Sequence, residues 1–175
     1  MLSVFDGLRD VTTLSVFVRL ACALICGGII GIERSYKRRP AGFRTHILIC
    51  IGAAITTLTS QYLYLNMHYF TDMARLGAQV VAGIGFIGAG TIIVTKRQRV
   101  KGLTTAAGLW TSAIIGLTFG GGFYEGGILA TVFIMLAELV FSRIEYRVLE
   151  NVPEINLYME YEGKHCLDDV LQLYR

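Results

Sequence analysis

Residues 76–95 read LGAQVVAGIGFIGAGTIIVT, twenty residues without a charge. About 20 mainly apolar residues are what a helix needs to cross the hydrocarbon core of a bilayer. The same stretch holds Gly83, Gly85 and Gly88 in the G-x-G-x-x-G spacing of a dinucleotide-binding turn. That turn requires a strand before it and a helix after it in a βαβ unit, and an unbroken apolar run supplies neither. The stretch is therefore read as a transmembrane helix with closely packed or locally irregular backbone. Four further runs share its character: 14–32, 47–65, 102–124 and 126–142. The fold class that follows is an all-α membrane protein, a bundle of five transmembrane helices.

Composition agrees with that reading. The 175 residues are 54% hydrophobic and 17% charged, with 20 Gly and 2 Pro, against about 25% charged in a soluble domain. The mean hydropathy is +0.56. A formal net charge of +3 does not point to nucleic acid, and the expected partners are the lipid bilayer and other membrane proteins. Lysines and arginines set the orientation. Arg34, Lys37, Arg38, Arg39 and Arg44 follow the first run, and Lys96, Arg97, Arg99 and Lys101 follow the third, whereas the opposite side carries Arg9 and Arg75. The expected topology places the N-terminus outside and the C-terminus in the cytoplasm of a bacterial inner membrane. Asp6, Arg9 and Asp10 precede the first run in place of a basic leader segment, so that run is read as a retained span. The division is a membrane domain over 1–145 and a cytoplasmic tail over 146–175.

Helices in lipid associate through close packing and hydrogen bonds. Gly83, Gly85, Gly88, Gly90, Gly108 and Gly116 are the expected packing positions. Among polar residues in the spans, Arg19 and Glu138 lie near span ends and read first as side chains snorkelling to the interface, with a buried functional role as the alternative. Gln79 reads as a hydrogen-bonding group between helices. Glu33 ends the first span as the lone acid among five basic residues, and Arg44 or another loop arginine is its expected ion-pair partner. Cys22, Cys26, Cys50 and Cys166 form no metal-ligand spacing and are read as reduced thiols. No cofactor is expected and no metal site is assigned.

Three ordered blocks resemble the MgtC/SapB family of bacterial inner-membrane proteins: Gly31-Ile32-Glu33-Arg34 with Pro40 to His46, Ala78 to Gly90, and Val100 to Trp110. The resemblance implies a bundle of about five helices, the number reached above from hydropathy. It also implies a cytoplasmic domain like the ACT fold, of which this tail holds only a strand (Glu154 to Tyr161) and the start of a helix (Asp168 to Tyr174). In function it implies regulation of membrane physiology under magnesium limitation or acid stress, with an association with virulence. That regulation would act through other membrane complexes such as the ATP synthase. Cation transport is the alternative, and catalysis is not expected, since no activated nucleophile or acid–base pair stands out. The candidate functional cluster, drawn from the matched blocks, is Glu33, Arg34, Arg44, Thr45, His46, Gln79, Arg99, Thr104, Thr105 and Trp110. A homodimer is left open.

Overall fold

A computed structural model describes residues 3–70, 72–94 and 100–149. A 3-10 turn (Ser3–Leu8) precedes helices α1 (Thr13–Tyr36), α2 (Phe43–Leu65) and α3 (Arg75–Thr91). Two short strands, β1 (Ile93–Val94) and β2 (Val100–Lys101), lead to α4 (Leu103–Gly120) and α5 (Tyr124–Leu136). A π-helical turn (Ala137–Phe141) and α6 (Ser142–Leu149) complete the described chain. Compact packing divides the chain into residues 1–139 and 140–175. Val140–Leu149, most of it α6, is the described part of the second unit. The tail strand and helix expected over 154–174 lie outside the described residues.

Local chemistry explains the helix ends. Thr12 accepts from the Ser15 backbone N–H at 3.2 Å while Ser15 Oγ accepts from the Thr12 N–H at 2.9 Å, a reciprocal cap that starts α1. At its other end Arg38 turns left-handed (φ 53°), the Lys37 and Arg39 N–H groups bond back to Glu33 and Arg34, and Pro40 prevents continuation. The first span thus reaches Tyr36, four residues beyond the hydropathy estimate. Likewise α2 begins at Phe43 and takes Arg44, Thr45 and His46 into its first turn.

Four helices are long and apolar enough to cross a membrane: Thr13–Tyr36, Phe43–Leu65, Leu103–Gly120 and Tyr124–Ile144. The third expected span is shorter than its uncharged run. Helix α3 has 17 residues, about 26 Å at 1.5 Å per residue. The β-branched residues Ile92, Ile93 and Val94 leave the helix, and β1 pairs antiparallel with β2, Ile93 opposite Lys101. Gly102 makes the turn into α4 with φ 98°, a conformation that costs glycine little. The fourth span ends early for a related reason: Gly122 (φ 77°) breaks the chain between α4 and α5.

Glycine lets α2 pack between α1 and α4. A Cβ on Gly27 would lie 2.9 Å from both Cys50 Cβ and the His46 carbonyl oxygen, and one on Gly31 would lie 2.7 Å from Phe43 Cα. From the other side, Cβ atoms on Gly116 and Gly120 would strike the carbonyl oxygens of Cys50 and Ala54. Ala23, Ile30, Cys50, Ala54, Ile115, Phe119 and Tyr124 form the buried core around these contacts. Cys22, Cys26 and Cys50 are free thiols.

The glycine-rich α3 behaves differently from expectation. Gly83, Gly85 and Gly90 have nothing within 4 Å of a built Cβ, so they make no packing contact among the described residues. Gly88 touches Ala106 at an ordinary 3.4 Å. Only Ile84 and Gly88 of α3 are buried. The glycine count of a stretch says nothing about which side a neighbour occupies. Gly116→Ala, which pushes a methyl into α2 backbone, should lower stability by about 1–3 kcal/mol. Gly85→Ala should leave it unchanged or raise it by up to about 1 kcal/mol. Thermal unfolding of the purified variants in detergent checks the contrast.

Candidate functional site

Helix α1 ends where α2 and α4 begin and where α5 passes into the π-helical turn, and a cluster of charges fills this junction. Arg34 is 1% exposed. Its Nη1 donates to Glu138 Oε2 at 2.5 Å, and its Nη2 lies 3.5 Å from Thr105 Oγ1. Glu138 sits in the π-helical turn, a local widening of the helix that is frequent at functional positions. Its backbone oxygen accepts from Lys37 Nζ at 2.6 Å. The same Nζ lies 2.6 Å from Glu33 Oε1, a charge pair rather than an aligned hydrogen bond. Two acids and two bases thus alternate in space, which offsets the desolvation that each would suffer alone.

His46 is fully buried beside this network. Its Nδ1 is 2.9 Å from the Gly42 carbonyl oxygen, and a carbonyl only accepts, so Nδ1 carries the proton. That assigns Nε2 the free lone pair in the neutral ring. Gly108 of α4 faces the ring, and a Cβ there would stand at an ordinary contact distance of 3.6 Å from Nε2. Four buried polar atoms of this junction have no hydrogen-bond partner among the described residues: both Glu33 carboxylate oxygens, Arg34 Nε and His46 Nε2. Buried polar atoms of native proteins are nearly always paired, with protein groups or with ordered water. Among the described residues no three His, Cys, Asp or Glu side chains gather as a metal site.

The structure brings Glu33, Arg34, His46 and Thr105 of the expected cluster together and adds Lys37 and Glu138. Arg44 and Thr104 are exposed and Thr45 is half-buried. Trp110 is 44% exposed. Gln79 is exposed on α3, without a hydrogen-bond partner among the described residues. Arg99 lies outside the described residues. Glu33 therefore pairs with Lys37 and not Arg44, because i and i+4 share one face of α1. Arg34, about 100° further round the helix, turns toward α4 and α5. Glu138 is not an interfacial anchor but the counter-ion of Arg34. The Glu33–Lys37 spacing was a sequence signal for part of this cluster. Nothing local marks Glu138, which lies 104 positions from Arg34.

A second buried arginine closes the opposite end. Arg19 is 0% exposed, which overturns its reading as a snorkelling side chain. Its Nη1 donates to Gln61 Oε1 at 2.7 Å and to the Gly120 carbonyl at 2.8 Å. Its Nη2 reaches the carbonyls of Arg9 (2.5 Å) and Leu8 (3.3 Å). A guanidinium suits this task because its donors spread in one plane and the last carbonyls of a helix attract a cation. Gly122 makes room, since a Cβ there would lie 3.0 Å from Nη2. Arg9 adds bonds to Glu125 (2.6 Å) and the Gly122 carbonyl (3.1 Å), and the Glu125 bond holds its guanidinium above the ordinary arginine range. Its own charge is therefore lost only as pH rises through that elevated value. Tyr124 donates to the Leu8 carbonyl at 3.1 Å and stacks on Phe5, ring centroids 4.9 Å apart. The N-terminal turn is thereby held against the α4–α5 connection.

Two outcomes test these networks. Glu138→Gln, which leaves Arg34 without its counter-charge, should cost about 3 kcal/mol. The double change Arg34→Met with Glu138→Leu should cost less than the single one, as read from thermal unfolding in detergent. Arg19→Lys keeps the charge but loses at least one charge-assisted bond, each worth about 1.5–3 kcal/mol. Limited proteolysis should then cut the Ser3–Leu8 segment roughly tenfold faster.

Comparison with known proteins places the chain. YhiD of Escherichia coli (strain K12), provisionally named as a magnesium transporter, is 42% identical over 149 residues, 83% of this chain and 69% of that protein. Protein MgtC of Salmonella typhimurium (strain LT2) is 37% identical over 131 residues, 75% of this chain and 54% of that protein. An uncharacterized protein of Haemophilus influenzae is 40% identical over 129 residues, 71% of this chain and 54% of its own length. The chain thus spans about half the length of the Salmonella and Haemophilus relatives. No solved structure is significantly similar. The MgtC family profile matches residues 20–147, a range that takes in the whole Glu33–Arg34–His46–Thr105–Glu138 junction, and the chain belongs to the MgtC family.

Proposed function

We propose that this protein regulates membrane physiology under magnesium limitation or acid stress by binding other membrane complexes, the ATP synthase among them. The observation that carries the reading is a set of exposed cations in the α1–α2 connection and at the starts of α2 and α4, next in sequence to a buried charge network. Arg38, Arg39, Arg44 and Lys101 are all exposed, while Arg34 ties α1 to Glu138 and Thr105. A buried charge network holds its helices in one arrangement, so the cations are offered as a fixed surface. Fixed positive charge steers an acidic partner and sets its register. On this reading α3 is the fifth crossing, the cationic end faces the cytoplasm, and the N-terminus lies outside. Any link to virulence would follow from the same regulation.

Tagged full-length protein, recovered from native membranes at low magnesium, should carry its partner complex with it. Arg44→Ala combined with Arg38→Ala and Arg39→Ala should reduce recovery of that complex on the order of tenfold or more, with expression unchanged. Equal recovery from the triple variant would overturn the reading. The second reading, magnesium transport, is favoured by the name given to YhiD and by the two carboxylates, Glu33 and Glu138, at one end of the bundle. Magnesium uptake by liposomes holding the purified protein, abolished by Glu33→Gln, would favour transport over regulation.

A further inference from the structure

Helix α3 is attached to the rest of the bundle along one side. Ile84 and Gly88 are its buried residues, half-buried Val80 packs with Ile84 in one cluster with Ala53 and Ala113, and Gly77 meets Leu117 of α4. At 100° per residue these four positions fall within a sector of about 80°. The diametrically opposite side carries Arg75, Gln79, Ala82, Phe86 and Ala89, all exposed, spaced four, three, four and three residues apart. That is the alternation of a left-handed coiled-coil seam. Phe86 projects with 87% exposure. Gly83 and Gly90, beside the seam, have open space where a Cβ would stand.

Two features set this face apart from an ordinary lipid-facing surface. Gln79 carries a carboxamide about 6 Å into an apolar helix with no hydrogen-bond partner among the described residues. Amide side chains in membrane helices bond across to a neighbouring helix. The helix is also short. Its length of about 26 Å falls below the hydrocarbon thickness of about 30 Å, and a short span is relieved by leaving lipid for protein contact.

We propose that the occupant of this face is α3 of a second copy, giving a parallel homodimer about a two-fold axis along the membrane normal. Such an axis sets each residue opposite its own copy. Gln79 suits that position because a carboxamide is both donor and acceptor, so two copies satisfy each other where a lone acid or base would repel. From Gln79 to Ala89 the seam is uncharged. Arg75, at the first residue of the helix, splays into the headgroup region. The projecting Phe86 meets its own copy across the axis and is flanked there by small residues of the partner copy (Ala82, Gly85 and Ala89), the alternation of large and small that close helix pairs use. The cations of the proposed docking surface lie elsewhere, so this inference stands apart from that reading.

The test uses the full chain in native membranes, with Cys22, Cys26, Cys50 and Cys166 replaced by serine and single cysteines placed along α3. Oxidation should yield a two-copy adduct for Ala82→Cys, Phe86→Cys and Ala89→Cys. Val80→Cys and Val81→Cys, on the side of α3 turned away from the seam, should give roughly tenfold less. In otherwise unaltered protein, native mass spectrometry in lipid nanodiscs should show a dimer. Gln79→Leu should weaken that dimer roughly 3- to 30-fold, and Gln79→Asn should keep it. Adducts without this periodicity, an adduct with a different protein, or a dimer indifferent to Gln79→Leu would each overturn the proposal.

Discussion

Helix α2 can lie against both α1 and α4 only because four positions facing it have no side chain. Gly27 and Gly31 admit it from one side, Gly116 and Gly120 from the other. In lipid there is little hydrophobic gain from bringing helices together, so contact distance governs how much dispersion attraction is realised. Everything polar in the bundle depends on these approaches. They set His46 beside Arg34 and Gly108, and they bring the start of α4 within reach of the end of α1. Pushing these helices apart would strand an arginine, a glutamate and a histidine in an apolar medium.

The two ends of the bundle solve the same problem by different chemistry. At the Arg34 end, opposite charges alternate and neutralise one another. At the Arg19 end, carbonyl oxygens and one carboxamide surround the cation. The second solution uses helix-terminal carbonyls that would otherwise be unpaired, so one side chain satisfies the end of α4 and fastens the N-terminal turn. The first joins the end of α1 to the π-helical turn through paired side-chain charges.

The helix α3 departs from the close packing of its neighbours. Its glycines were read as contact positions because small residues in membrane helices usually are, yet Gly83, Gly85 and Gly90 meet nothing among the described residues. The difference has a physical source. A glycine reports that a close approach is permitted, not which surface makes it. Misreadings of Arg19 and Glu138 share that source. Each lies near the end of a span, where snorkelling is the cheaper option, and only the folded neighbours reveal a partner that makes burial cheaper still.

Patterns with short range could be read directly from the residues. Four long apolar helices followed from hydropathy, whereas Glu33 was expected to pair with Arg44 and instead meets Lys37, one turn along its own helix. The family blocks gave Glu33, Arg34, His46 and Thr105 as members of one cluster. Contacts between distant positions could not be read that way. The pairing of Arg34 with Glu138, the wrapping of Arg19 by Leu8, Arg9, Gln61 and Gly120, and the exposure of Gln79 and Trp110 depend on helix rotation and crossing. Helix rotation is set by which glycine faces which backbone. Hydrophobic periodicity says that a face is buried, but only the packed bundle decides against what.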